Sequence, residues 1–240
     1  MIPKQDFFLT DSVLSKFNSC DALVTEISMD LTLKEQLALA QRMFLPDGNS
    51  YEDYMAPDAF NRFYSFLVDS LNIRQKKADR YIRIKPVFLS AIMMKEVLGK
   101  VSIYEMEFHK MAKKRDMTFL SLETAEEQMN VVDSISLEIQ FKDMDKQPSL
   151  EKDYHQLLKA YKKQDMSALC KMLEDDTGFQ EIESVMLNNR NRKWLNKLKH
   201  MISENRCFVA VGAAHLCGEN GLISLLKDSG YTISPIKQVF

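Results

Sequence analysis

The stretch Cys207-Phe208-Val209-Ala210-Val211-Gly212-Ala213-Ala214-His215-Leu216-Cys217-Gly218-Glu219-Asn220-Gly221 decides how this chain is read. Its first half, Cys207 to Ala213, is continuously apolar and does not alternate. That pattern predicts a strand covered on both faces, as in a parallel sheet. Three of the chain's seven glycines (Gly212, Gly218 and Gly221) crowd into this turn region, where the backbone must make unusual bends or close approaches. A helix over Leu222 to Lys227 follows, then Gly230 as a helix stop and a closing strand over Tyr231 to Ile236.

Further strands are predicted by the same logic. Ala22-Leu-Val-Thr-Glu-Ile27 is a short β-branched run ending near Glu26, and Met117-Thr-Phe-Leu-Ser-Leu122 is another, with Glu123 at its end. Residues 10 to 18 predict a helix capped by Thr10 or Asp11. A helical stretch spans about 31–116, broken at Pro46 to Ser50, at Pro57 and before Pro86. Within it Phe60, Phe63, Tyr64, Leu67 and Leu71 recur at helical spacing, and Ile84 to Leu98 form a helix whose Met93 and Met94 fill core. Glu105 to Arg115 is an amphipathic helix. Thr124 to Asn205 is helical again, with breaks near Pro148 and at Asp175 to Gly178. The fold class is therefore α/β: a small sheet built from the chain's ends and middle, with a large helical insertion, in a single domain over 1–240.

A net charge of -2 across 240 residues argues against a nucleic-acid-binding face. The basic runs Lys113-Lys114-Arg115 and Arg190-Asn191-Arg192-Lys193 read as solvated faces. The four cysteines show no C-x-x-C spacing, so neither a zinc knuckle nor a dense disulfide framework is expected; Cys207 and Cys217 read as small buried hydrophobes. No apolar run is long enough for a transmembrane helix and no signal peptide opens the chain, which as it stands reads as cytoplasmic.

Ligands of open α/β sheets gather beyond the carboxyl ends of the strands. Glu26, Glu123 and His215 all fall at that edge. On residue type alone, a histidine after a strand is more often a structural hydrogen-bonding residue than a catalytic one. Glu26 either sits at an exposed strand end or is buried with a partner, since an unpaired buried carboxylate is costly. Arg190 and Arg192 stand at the start of the helix that carries Trp194, an electrostatically unhelpful place that suggests a task such as holding an anion. His109, His155 and His200 lie on charged helical faces and read as surface residues.

The segments Leu187-Asn-Asn-Arg190-Asn191-Arg-Lys-Trp194 and Gly212-Ala-Ala-His215-Leu-Cys-Gly218-Glu-Asn-Gly221-Leu222 resemble the closing motifs of the TraB/GumN (Tiki-like) family. Tyr104-Glu105 through Ala112, Leu122-Glu123-Thr124 with Gln128, and Leu23-Val-Thr-Glu26-Ile27 are similar to its mid-chain helix, its Leu-Glu-Thr motif and its glutamate-bearing strand. The resemblance implies a metal-dependent, peptidase-like hydrolase acting on a peptide or small molecule. His215 and Glu26 would hold a divalent ion (zinc, manganese or cobalt), and Arg190 would stabilise developing negative charge. Glu105, Glu123, Gly212 and Asn191 would support them.

The family's first Gly-x-x-His is expected just before Ile2 to Leu9, so the chain is read as N-terminally truncated. An exported or periplasmic location follows if a leader went with it. One histidine and one glutamate make a thin metal site, since catalytic zinc usually has three protein ligands. The alternative that the resemblance implies is a catalytically silent binding or regulatory protein, like the pheromone-shutdown members.

Overall fold

The computed structural model describes residues 1–142, 144 and 150–236. The expected break at Pro148 lies outside them. The described chain runs through β1 (Ile2–Pro3), α1 (Asp11–Ser19), β2 (Ala22–Thr25), α2 (Leu33–Arg42), α3 (Pro57–Ser65), α4 (Gln75–Tyr81) and α5 (Pro86–Leu98). It continues through β3 (Val101–Ser102), α6 (Tyr104–Lys113), β4 (Thr118–Ser121), α7 (Ala125–Asp133), α8 (Leu137–Phe141) and α9 (Leu150–Lys162). It closes with α10 (Met166–Glu174), α11 (Thr177–Glu183), α12 (Asn189–Glu204), β5 (Cys207–Ala210) and α13 (Leu222–Asp228). Thr10 caps α1 by accepting from the Val13 N–H, and Pro57 and Pro86 occupy the first turns of α3 and α5, where a missing N–H costs nothing.

The chain divides into two compact units, one comprising 1–30, 101–128 and 157–240, the other 31–100 and 129–156. The helical stretch expected over about 31–116 thus enters the second unit as far as Lys100. The core of that unit is aromatic and aliphatic, centred on Tyr51, Phe63, Leu67, Leu89 and Met93. The stripe expected from Phe60 to Leu71 supplies it, with Phe60, Tyr64 and Leu71 packed at its edge.

The first unit is built on a parallel sheet in the order β4-β2-β5, with Ala22 opposite Thr118 and Cys207, and Thr25 opposite Ser121 and Ala210. The central strand β2 is buried throughout, its apolar Ala22, Leu23 and Val24 followed by Thr25, whose hydroxyl donates to the Ile27 carbonyl. Alternation along the strands sorts the side chains onto two faces. Leu23, Phe208 and Ala210 pack with Phe17, Phe108 and Met117 under α1 and α6. Val24, Leu120, Val209 and Val211 pack with Trp194, Leu198 and Leu222 of α12 and α13 on the other face. Phe17 is the keystone of the first face, with its ring against Phe108 at 5.5 Å and Phe208 at 5.1 Å. Among the described residues, no helix is long and apolar enough to cross a membrane.

Three expectations are corrected, and one pairing of strands was not foreseen. The strand foreseen over Cys207 to Ala213 ends at Ala210, because its partner β2 ends at Thr25 and the Gly212 N–H goes to a carboxylate instead. No strand forms over Tyr231 to Ile236: the Tyr231 N–H closes the end of α13 on Leu226, and Pro235 has no N–H to give a ladder. The antiparallel pair of β1 and β3 was not foreseen, since two-residue strands carry no periodic signal. Cys217 is not a simple buried hydrophobe, because α10 places Cys170 beside it and the two form a disulfide. Closing the intervening loop, a sequence separation of 47, restricts the unfolded chain by about 4 kcal/mol. Cys20 and Cys207 remain free thiols, both half-buried.

Replacing Phe17 by alanine removes the ring joining three elements of the first unit. Urea denaturation is expected to show a loss of about 3–5 kcal/mol. A loss below about 1 kcal/mol, the range of surface substitutions, would contradict this packing.

Candidate active site

The parallel pairing carries on just past β2 and β4, where the Leu122 N–H reaches the Thr25 carbonyl and the Glu123 N–H the Glu26 carbonyl. Glu26 and Glu123 are thereby set side by side at the carboxyl edge of the sheet. Beyond β5 the chain bends into a 3-10 turn, Ala213–Leu216, which carries His215. His215 therefore sits in a turn past the strand rather than at its end. Across this edge lies α12, with Arg190, Asn191 and Trp194 on the face that packs on the sheet.

Arg190 is the centre of the cluster. Its Nε and one Nη2 hydrogen fork onto Glu123 (3.2 Å to Oε2 and 2.7 Å to Oε1). The other Nη2 hydrogen goes to Glu26 Oε2 at 2.9 Å. Nη1 donates to the Met186 carbonyl at 2.8 Å and to His215 Nε2 at 3.2 Å. All five N–H donors of the guanidinium are thus used inside the protein. The rotation that allows this comes from the backbone. α11 does not stop before α12 but runs into it through a π-helical turn, Ser184–Asn188, whose Met186 carbonyl is one of the acceptors. Arg190 is accordingly not at a free helix N-terminus, as the sequence suggests. It is buried because two carboxylates neutralise it.

Further groups also donate to those carboxylates. Glu123 Oε2 accepts from the Trp194 indole N–H, and Gln128 Nε2 reaches both Glu123 Oε1 (3.2 Å) and Glu26 Oε2 (3.4 Å). Glu26 Oε1 accepts the Gly212 backbone N–H at 2.7 Å. A Cβ on Gly212 would stand 3.2 Å from that same oxygen, so glycine here permits the close approach of backbone to carboxylate. The turn is closed by Gly221, where a Cβ would collide with the Cys217 and Leu216 carbonyls. The Trp194 ring lies under both partners, 4.3 Å from the imidazole and 4.6 Å from the guanidinium carbon.

Asn191 fixes the state of His215. Its amide N–H₂ donates to the carbonyls of His215 and Asn220, which leaves Oδ1 to accept from His215 Nδ1 at 2.7 Å. Nδ1 therefore carries the proton, and Nε2 presents a lone pair to Arg190. Burial, and after it the charge of Arg190, push the imidazole pKa down to about 3, so the ring is neutral.

The structure brings together Glu26, Glu123, Arg190, Asn191, Gly212 and His215. Glu105 makes none of these contacts: it lies on α6, where its charge acts on Tyr161. Of the other histidines, His109 pairs with Asp30 and rests on Phe119, and His200 is exposed beside Glu204. Gln128 and Trp194 join the cluster by hydrogen bonds to its glutamates, a place that sequence reasoning did not give them, although both stand inside the motifs quoted above.

The cluster does not fit the divalent ion that the resemblance implies. The Nε2 lone pair of His215 and Oε2 of Glu26, 3.9 Å apart, both face Arg190, which already supplies the positive charge between them. Among the described residues no set of three His, Cys, Asp or Glu side chains is gathered as a metal site would require. One edge of the cluster is open to solvent. The Glu26 side chain is 20% exposed, whereas Arg190 and Glu123 are buried.

A family model, that of the TraB/PrgY/gumN family, matches residues 1–235. No curated protein and no solved structure matches the chain.

Neutral His215 predicts a specific response to acid. Between about pH 6.5 and 3 the unfolded chain binds a proton at this residue that the folded chain refuses. Stability then falls as pH drops through this window, by up to about 1.4 kcal/mol per pH unit from this group. His215→Asn is expected to flatten the slope between about pH 6.5 and 5, before the carboxylates titrate. Equal slopes for both proteins in chemical denaturation would contradict the assignment.

Proposed function

Because the chain belongs to the TraB/PrgY/gumN family, we propose that it is a hydrolase of peptide or small-molecule carbonyl substrates in which Glu26 is the group that meets the substrate. The observation that carries this reading is the exposure of Glu26 at the rim of a cluster whose other charged members are buried. Its Oε1 spends one lone pair on the Gly212 N–H and keeps another for a water molecule. Glu26 takes a proton from that water as the oxygen attacks the carbonyl carbon, then returns it to the leaving nitrogen or oxygen. The tetrahedral oxyanion forms close to Arg190, which acts through its charge because its N–H groups are already committed. His215, Asn191, Glu123, Gln128 and Trp194 position the arginine. No step is routed through a divalent ion, whose place beside Glu26 and His215 the guanidinium fills.

A second reading is favoured by one specific observation: Arg190 and both ring nitrogens of His215 are fully engaged with the protein. On that reading the cluster is a rigid core of a binding or regulatory protein that turns nothing over.

A panel of peptide and ester substrates separates the two. The hydrolase reading expects turnover that chelators leave intact and that Glu26→Gln lowers by about 10²–10⁴-fold, the usual contribution of a general base. Turnover that is lost with the chelator, or that survives Glu26→Gln, would overturn the proposed role. Absence of turnover on the whole panel would leave the binding reading in possession.

A further inference from the structure

The disulfide stands next to the cluster. Cys217 lies two residues beyond His215, at the end of the 3-10 turn, with its N–H on the Ala214 carbonyl. Cys170 lies in the middle of α10. The covalent loop between them encloses Arg190, Asn191, Trp194, Gly212 and His215. It therefore contains every residue of the cluster that does not come from the ends of β2 and β4 or from α7.

The two sides of the bond are anchored very differently. The turn has independent restraints: Asn191 grips the His215 carbonyl, the His215 ring and the Asn220 carbonyl, and Gly221 packs without room for a side chain. On the other side, neither α10 nor α11 has a fully buried residue. Elements held by half-buried side chains open at the low end of a protein's stability range. Both cysteines are half-buried, so a small dithiol can reach the bond.

We propose that the Cys170–Cys217 bond is a redox-sensitive latch that pins α10 against the turn carrying His215. Opening transfers two electrons and two protons from a dithiol, which leaves as its cyclic disulfide, and gives the two cysteine thiols. Closing returns the electrons to an oxidant of the disulfide-exchange class. Where such reductants prevail α10 is released from the turn, and where they are scarce it stays latched. The turn and the arginine clamp persist in both states, because Asn191 and the two carboxylates hold them. The latch does not depend on hydrolase activity, so it is read out structurally.

Amide hydrogen exchange on the full chain, with and without dithiothreitol, tests it alongside a free-thiol titration. The expected thiol count rises from two to four on reduction, since Cys20 and Cys207 are already free. Exchange should then rise at least about tenfold across α10, while β2, β5 and α12 keep their protection. Cys170→Ser should show the raised exchange without reductant and no further change with it. Three outcomes would overturn the latch: four reactive thiols before reduction, unchanged exchange in α10 once four thiols have appeared, or exchange that rises across the sheet as well. The last would make the bond a staple of the whole unit.

Discussion

A guanidinium carries five N–H groups in one plane, and burying it leaves each of them in need of an acceptor. Around Arg190 those acceptors are two carboxylates, an imidazole nitrogen and a backbone carbonyl, drawn from four separate segments of the chain. Each arrives for a reason set elsewhere. Glu26 and Glu123 are adjacent because β2 and β4 are in parallel register. His215 is within reach because β5 ends level with β2 and turns at Gly212. The Met186 carbonyl lies in the π-helical turn just before α12, one turn back from Arg190. A shift of one residue in any of these would leave a charge buried without its partner, which typically costs about 3–5 kcal/mol.

The same constraint would shape the proposed chemistry. Two carboxylates surround one arginine while the neutral imidazole adds no charge, so the cluster carries a formal surplus of one negative charge at an edge where, of these three charged side chains, Glu26 is the one that meets solvent. An activated water beside that carboxylate would face a fixed positive charge behind it, an arrangement that favours a developing oxyanion. The Trp194 ring, under both Arg190 and His215, keeps water from the far side and strengthens the interactions above it.

Much of the sheet was legible in the sequence. Ala22 to Thr25 and Thr118 to Ser121 fall inside the expected runs, although only the central β2 is buried as a doubly covered strand should be; β4, at the sheet edge, leaves Thr118 and Phe119 exposed. Glu26 and Glu123 stood out as carboxylates ending such runs. The position of His215 was read less well, because a run of Val211, Ala213 and Ala214 looks like strand whether or not a neighbour is present to pair with it. Arg190 was singled out for a reason that does not hold. The helix was expected to start there, yet the chain runs through Asn188 and Asn189 without a break. The roles of Gln128 and Trp194, and the pairing of Cys170 with Cys217, depend on contacts between elements far apart in the chain. No local pattern encodes them.

The claim that Arg190 and the two glutamates act as one unit is most directly tested by a double-mutant cycle on stability, pairing Arg190→Met with Glu123→Gln. Each single change should be strongly destabilising, since it leaves a buried partner unsatisfied. The pair should cost much less than the sum, with a coupling of about 2–3 kcal/mol. A coupling below about 0.5 kcal/mol would mean that the two side chains stand independently, and the account of the site would fail.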